Sequence, residues 1–219
     1  MLSHLPFICL GLIFGSFLNV LIYRLPLHES FVFSRSICPN CKSLIPIYRN
    51  IPIISFLIQL GKCHNCNNKI SFQYPFVELL SAFFWYWAGA NLLFYEAILF
   101  ILITNILIVI SFIDYKTMEI NLHLILLLIS ILFIYGLFIS ENVTNMLYGS
   151  IVGFGYLGFV FMLTSLIFKK QTMGLGDLQL ILILGAWVGP GNILLSIFLA
   201  SLIGIILWAL INIVNKHNK

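Results

Sequence analysis

Seven apolar runs dominate the chain, over residues 5–22, 76–93, 97–113, 120–139, 147–168, 175–189 and 193–214. A helix crossing the hydrocarbon of a bilayer needs about 20 residues, so the pattern predicts about seven transmembrane helices. The run 175–189 is short and contains glycine, which predicts a tilted or partly embedded helix. One long polar stretch, residues 23–75, interrupts the series after the first run. The organisation is therefore residues 1–75, a first span plus a polar insert, and residues 76–219, a six-helix membrane bundle. Three glycine pairs at i, i+4, namely Gly11/Gly15, Gly149/Gly153 and Gly185/Gly189, fit close helix packing. Small residues falling by chance in apolar helices explain any one of them equally well.

Composition narrows the class. Of 219 residues, 61% are hydrophobic and 8% charged, with a mean hydropathy of +1.08. An average soluble domain is about 25% charged. Eighteen charged residues cannot coat a globule of this size, which excludes a soluble enzyme, a disordered chain and a nucleic-acid binder. Charge distribution then orients the chain. Six of the 11 basic residues lie between Arg24 and Lys69; the others are Lys116, Lys169, Lys170, Lys216 and Lys219. With the N-terminus outside, loops 23–75, 114–119 and 169–174 and the tail all fall inside. The outside loops near 94–96, 140–146 and 189–192 hold no Lys or Arg. Basic loops stay cytoplasmic, so this asymmetry supports an odd number of spans. Residues 5–22 lack a basic segment before them, so they read as the first span rather than a secretory signal.

Four of the five cysteines fall in the insert, as Cys38-Pro-Asn-Cys41 and Cys63-His-Asn-Cys66. Two CxxC knuckles can bring four thiolates to one point, and four sulfurs in a tetrahedron suit a structural Zn²⁺. In a reducing compartment this pattern favours metal over disulfides, with a redox dithiol or free thiols as the other readings. An insert of about 50 residues is too small for a large apolar core, so a metal would anchor it. Lys42 and Lys62 flank the knuckles and can offset their charge. Pro46, Pro52 and Gly61 predict a folded-back ribbon between them. His64 sits inside a knuckle, where its ring should point away. Cys9 reads as a small core residue.

Two aspartates form the second constellation. Asp114 ends the run 97–113, and Asp177 follows Met173-Gly-Leu-Gly176 and opens the run 178–188. The topology puts both at the cytoplasmic edge of the bilayer, where an ionisable group usually has a function. Two carboxylates in hydrogen-bond reach cannot both ionise easily, so one keeps a proton while the other activates water. Gly174 and Gly176 would let backbone approach a substrate strand closely. Taken singly, each aspartate has an ordinary reading: Asp177 as an N-cap and Asp114 as a solvated loop residue. Among the other acids, Glu78 falls in the first turn of the second span and reads equally well as a helix N-terminal acid. Glu96 and Glu141 read as solvated, Glu119 as interfacial, and Glu29 lies in the basic loop. Asn19 and Arg24 end the first span, with Arg24 snorkelling to the surface.

These residues, in this order, resemble the type IV prepilin peptidases, the leader peptidase/N-methyltransferase family of GxGD membrane aspartic peptidases. The opening Gly15-Ser-Phe-Leu-Asn-Val-Leu-Ile-Tyr-Arg-Leu-Pro26, the two CxxC pairs and Tyr48-Arg-Asn-Ile-Pro-Ile-Ile-Ser55 each carry the likeness. So do Tyr74-Pro-Phe-Val-Glu-Leu-Leu80, Met173-Gly-Leu-Gly-Asp177 and Leu184-Gly-Ala-Trp-Val-Gly189. The resemblance implies an all-α integral membrane protein with a small zinc-binding cytoplasmic insert. It implies Asp114 and Asp177 as the catalytic pair and Cys38, Cys41, Cys63 and Cys66 as zinc-associated. It further implies prepilin or pseudopilin substrates, cut after the Gly of a basic leader at the cytoplasmic face of a bacterial inner membrane. Many members then methylate the new N-terminal residue with S-adenosylmethionine, and no residue here can be assigned to that step by spacing.

The chain departs from the family pattern at Glu119-Ile-Asn-Leu-His123, which lacks a Pro, at Gln171 in place of a Glu, and at Gln179 in place of a Lys. These bear on substrate details, pKa tuning or methylation rather than on the aspartates. Two rivals stand beside the peptidase reading. An ion-coupled transporter would place its acids near the bilayer midplane. A non-catalytic pilus or secretion scaffold would tolerate Asp177→Asn.

Overall fold

The computed structural model describes residues 4–30, 35–138, 142–170 and 172–217, with side chains through 213. Glu141, Gln171 and Lys219, and the side chain of Lys216, lie outside the described residues. The described residues form eight α-helices: α1 Leu5–Arg24, α2 Ile54–Ile58, α3 Gln73–Asn91, α4 Phe94–Thr117, α5 Leu122–Phe138, α6 Val143–Phe168, α7 Leu175–Val188 and α8 Pro190–His217. Among the described residues no strand forms, only two isolated antiparallel bridges in the insert. Each of the seven apolar runs is a helix, and α2 is the single turn-and-a-half of helix within the insert.

Among the described residues four helical stretches are long and apolar enough to cross a membrane: Leu5–Leu27, Phe94–Thr117, Val143–Phe168 and Pro190–Ile213. Helices α5 and α7 are apolar but shorter. Helix α3 has 19 residues and carries Gln73, Glu78, Ser81 and Asn91, polar groups that dilute its hydrophobicity.

The chain divides into two compact units, Met1–Leu124 and Ile125–Lys219. In the first, α1 lies against α3 at backbone distance. A Cβ at Gly11 would sit 2.6 Å from the Ala82 Cα, and one at Gly15 would sit 2.6 Å from the Glu78 Cα. Only glycine permits that approach, so the close-packing reading of this pair holds. Helix α4 closes the unit with a buried apolar stripe of Ile101, Ile108, Val109 and Ile113. A buried hydrogen bond of 3.3 Å from the Ser81 hydroxyl to Asn105 Oδ1 fixes its register on α3.

In the second unit the same device joins α6 and α7. A Cβ at Gly149 would collide with the Gly185 carbonyl, and one at Gly185 with the Gly149 carbonyl. Gly189 has φ +82 and ends α7, a conformation that favours glycine. The outward faces of α6 and α8 are apolar and largely exposed, with Phe159, Leu166, Leu195 and Trp208 among them. Burial inside the protein does not account for these side chains, and lipid does.

Three expectations change. Helix α3 begins at Gln73, so Glu78 lies in its second turn rather than its first. Arg24 is buried, not snorkelling: its guanidinium donates to the Ser30 and Arg35 carbonyls at 3.1 and 2.9 Å. The loop after α1 supplies these carbonyls, and Arg24 satisfies them. Cys9 is exposed on α1 instead of packed in a core, because that helix is apolar on its outer face as well.

Candidate functional sites

The cysteine insert is built from two copies of one turn. The Lys42 amide donates to the Cys38 carbonyl and the Asn67 amide to the Cys63 carbonyl, each at 2.9 Å. Lys42 and Asn67, each four positions past the first cysteine of its knuckle, both adopt the left-handed conformation, with φ +56 and +55. Each knuckle is closed by an antiparallel bridge, Ile37 with Leu44 and Lys62 with Lys69. The segment between is not the expected ribbon but a 3-10 turn, Ile47–Arg49, followed by α2.

The two knuckles bring all four sulfurs within 4.8 Å of one another. Cys38 Sγ and Cys66 Sγ lie 4.0 Å apart. A tetrahedral site with zinc–sulfur bonds of about 2.3 Å has sulfurs about 3.8 Å apart, so the donor set fits Zn²⁺. The Asn of each knuckle reaches the second cysteine of the other. Asn40 Nδ2 donates to Cys66 Sγ, and Asn65 Nδ2 to Cys41 Sγ, both at 3.8 Å. His64 is exposed and is not among the clustered ligands. The thiols differ electrostatically. Burial pushes Cys38 up to about 11, whereas the Ser43 hydroxyl, 3.0 Å from its sulfur, draws Cys41 down to about 6. Cys63 is also lowered, by the backbone amides of Cys66 and Asn65. A bound cation would favour the thiolate form of all four, whatever their separate acidities.

Glu78 proves to be a tether rather than a helix cap. Its Oε2 accepts from the Ile53 amide at 2.7 Å. Ile53 has φ +61 and ψ −51, and the Ile54 amide bonds back to the Pro52 carbonyl at 2.6 Å, which makes a γ-turn with positive φ. That turn is strained for a β-branched residue, at a cost on the order of 1–3 kcal/mol. The Ser16 hydroxyl also bonds the carboxylate. Sequence reading gave Glu78 no tertiary role, because its partner is a main-chain amide in the insert and leaves no side-chain signature.

The two aspartates are placed as follows. Asp114 lies in the last turn of α4, half-buried, in the first unit; its carbonyl accepts from the Met118 amide at 2.7 Å, where the helix ends. Asp177 lies in the first turn of α7, half-buried, in the second unit. Gly174 is the N-cap of α7, its carbonyl accepts from the Asp177 amide at 3.2 Å, and a Cβ there would come 3.3 Å from Asp177 Oδ2. Gly176 is the second residue of α7.

Residues 9–92 match the model described as the bacterial peptidase A24 N-terminal domain, and residues 99–209 match that of the type IV leader peptidase family. The chain is similar to a prepilin leader peptidase/N-methyltransferase of Neisseria gonorrhoeae, 33% identical over 90% of this chain and 78% of that protein. It is similar to proteins of the same name from Pseudomonas aeruginosa (34%, over 91% and 78%) and Vibrio cholerae (33%, over 92% and 84%). No solved structure matches the chain significantly.

Proposed function

Because this chain belongs to the type IV leader peptidase family, we propose that it removes the basic leader from prepilins or pseudopilins and then N-methylates the new N-terminus. The observation that carries this reading is the match of both halves of the chain, in order, to the two parts of that family. The match to whole relatives that bear both activities in their names supports a bifunctional enzyme, a peptidase and a methyltransferase.

The catalytic pair in this proposal is Asp114 and Asp177. Peptide hydrolysis needs a base that deprotonates water and an acid that protonates the carbonyl oxygen. One aspartate keeps a proton and the other takes one from water, with the roles assigned to the pair as a whole. The mechanism requires the two carboxylates to approach within hydrogen-bond reach of a shared water. Gly174 and Gly176, at the start of α7, are the proposed approach for the substrate strand, since no side chain stands there.

We place Zn²⁺ on Cys38, Cys41, Cys63 and Cys66 as a structural ion. Four sulfur ligands leave it no open position for substrate. S-adenosylmethionine, the proposed methyl donor, would supply an activated methyl group. Residues 1–75 would serve as span and insert, and 76–219 as the catalytic bundle. In this reading all seven long helices cross the bacterial inner membrane, N-terminus outside, with both aspartates at the cytoplasmic face. The basic loops support that orientation. At about 21 Å, α7 is shorter than the hydrocarbon, and the bilayer would thin around it or leave it partly embedded.

The test is cleavage of a prepilin-like leader-plus-helix substrate by wild type, Asp114→Asn and Asp177→Asn, with product masses read with and without S-adenosylmethionine. The expected result is loss of cleavage in both variants by at least about a hundredfold, and a one-methyl mass gain in the wild-type product. Robust cleavage by either variant would remove that aspartate from the mechanism and favour the scaffold.

A further inference from the structure

The cysteine insert carries an apolar surface that its own fold leaves uncovered. On α2, Ile54, Leu57 and Ile58 share one face at helical spacing and are 54%, 64% and 76% exposed. The other side of the helix is occupied. Ser55 is buried and its hydroxyl accepts from the Ile51 amide, while Phe56 meets Phe72 edge to face. Leu60, just past α2, is 84% exposed and lines a hollow of about 560 Å³ together with Ile58, Tyr48, Arg49 and Lys62. We propose that α2 is an interfacial anchor, its apolar face seated in the cytoplasmic leaflet among anionic lipid headgroups. The proposal rests on the reading above that α1 and α3 cross the membrane.

The depth of the insert argues for lipid. The turn at Ile53, which leads into α2, is bonded to the Glu78 carboxylate. Glu78 lies five residues inside the start of α3, about 7.5 Å along the helix axis. The same carboxylate meets the hydroxyl of Ser16, which lies eight residues before the end of α1, about 12 Å along that axis. The insert therefore comes down beside the ends of two membrane helices at this point instead of standing clear above them. An apolar helix face at that level meets the headgroup and acyl boundary.

Charge argues the same way. Residues 30–77 hold Arg35, Lys42, Arg49, Lys62 and Lys69 and no Asp or Glu. Lys62 and Lys69 are exposed, and their long stems let the ammonium groups reach headgroups while the neighbouring apolar side chains sit deeper. An apolar face ringed by cations and free of acids fits a negatively charged leaflet. The same cations disfavour a second copy of this insert, which repeats the charge, and the basic leader of a prepilin.

The experiment places the full chain in nanodiscs of phosphatidylcholine and phosphatidylglycerol brominated either high on the acyl chain or near its terminal methyl, since bromine quenches tryptophan on contact. Leu57→Trp adds a reporter to the exposed face of α2, and the native tryptophans, Trp208 on the outer face of α8 among them, give the reference. The emission added by Leu57→Trp should be blue-shifted and should lose at least about half its intensity to the shallow bromines and much less to the deep ones, because an interfacial helix buries its apolar face about 5–10 Å. In a chain without the reporter, Leu57→Gln combined with Ile58→Gln should speed hydrogen exchange of amides 54–60 by at least about tenfold with bound zinc unchanged, since two apolar side chains are lost from the leaflet. Side chains facing water would change that exchange less than about threefold, and such a result would overturn the anchor. So would red-shifted, unquenched emission, which places α2 in water, or a blue shift that neither bromine position quenches, which places it against protein. Quenching of the native tryptophans in the same discs would show that in those cases the membrane reading stands. Native emission untouched by either lipid would overturn that reading and the anchor with it.

Discussion

The Glu78 carboxylate accepts the Ile53 amide at 2.7 Å across 25 positions of sequence. This one bond links a membrane helix to the cysteine insert and holds a γ-turn that isoleucine would otherwise avoid. Replacing Glu78 by Ala leaves that amide without its partner. Such a change should destabilise the insert by about 1–3 kcal/mol, and Glu78→Gln by less. Hydrogen exchange of amides 47–60 in the two variants checks this, and equal protection in Glu78→Ala and wild type would refute the tether.

Zinc and protons compete for the same sulfurs, so metal affinity should fall as pH falls. The thiol values set the shape. Cys38, raised to about 11, must lose a proton to bind metal at any pH below that value. Cys41, lowered to about 6, is already ionised at pH 7 and adds a further competing proton only as pH drops through 6. Competition against a chelator at pH 5, 6, 7 and 8 should show affinity rising with pH and the slope steepening below 6. A flat profile would argue against a thiolate site.

Replacing Cys41 or Cys63 removes one sulfur of four, and bound zinc should fall well below one per chain. The measurement is metal content of purified protein. Unchanged stoichiometry in either variant would contradict the four-sulfur site.

The glycine contacts predict a contrast inside one protein. Gly15→Ala drives a methyl into the Glu78 backbone and should destabilise by about 1–3 kcal/mol. Gly155→Ala meets nothing within 4 Å and should be neutral or slightly stabilising. Thermal unfolding of both variants in the same detergent compares them directly.

If Asp114 and Asp177 share one proton in catalysis, the rate of leader cleavage should rise and then fall with pH as the pair passes through its singly protonated form. Cleavage rates over pH 4–9 read this out. A rate that changes in one direction only would count against the dyad.

Much of this was legible in the chain because membrane insertion is a coarse constraint. Apolar runs near 20 residues, punctuated by basic loops, become helices wherever they occur, and the seven runs did so within a few residues at each end. The cysteine cluster was legible for a related reason: CxxC knuckles fold locally, and four soft ligands in one small insert have few other fates. The peptidase family could be read from ordered short motifs, since each carries its own local geometry. The close contacts of Gly11, Gly15, Gly149 and Gly185 were visible only as one of two equal readings, because a glycine's partner lies on another helix. What the tertiary structure alone decided are the long-range pairings: Arg24 turned inward to the loop carbonyls, Glu78 bound to the Ile53 amide, and a cavity lined by residues from Ser16 to Lys116. A buried polar side chain chooses its partner by where the backbone comes to rest, and no local pattern of residues encodes that position.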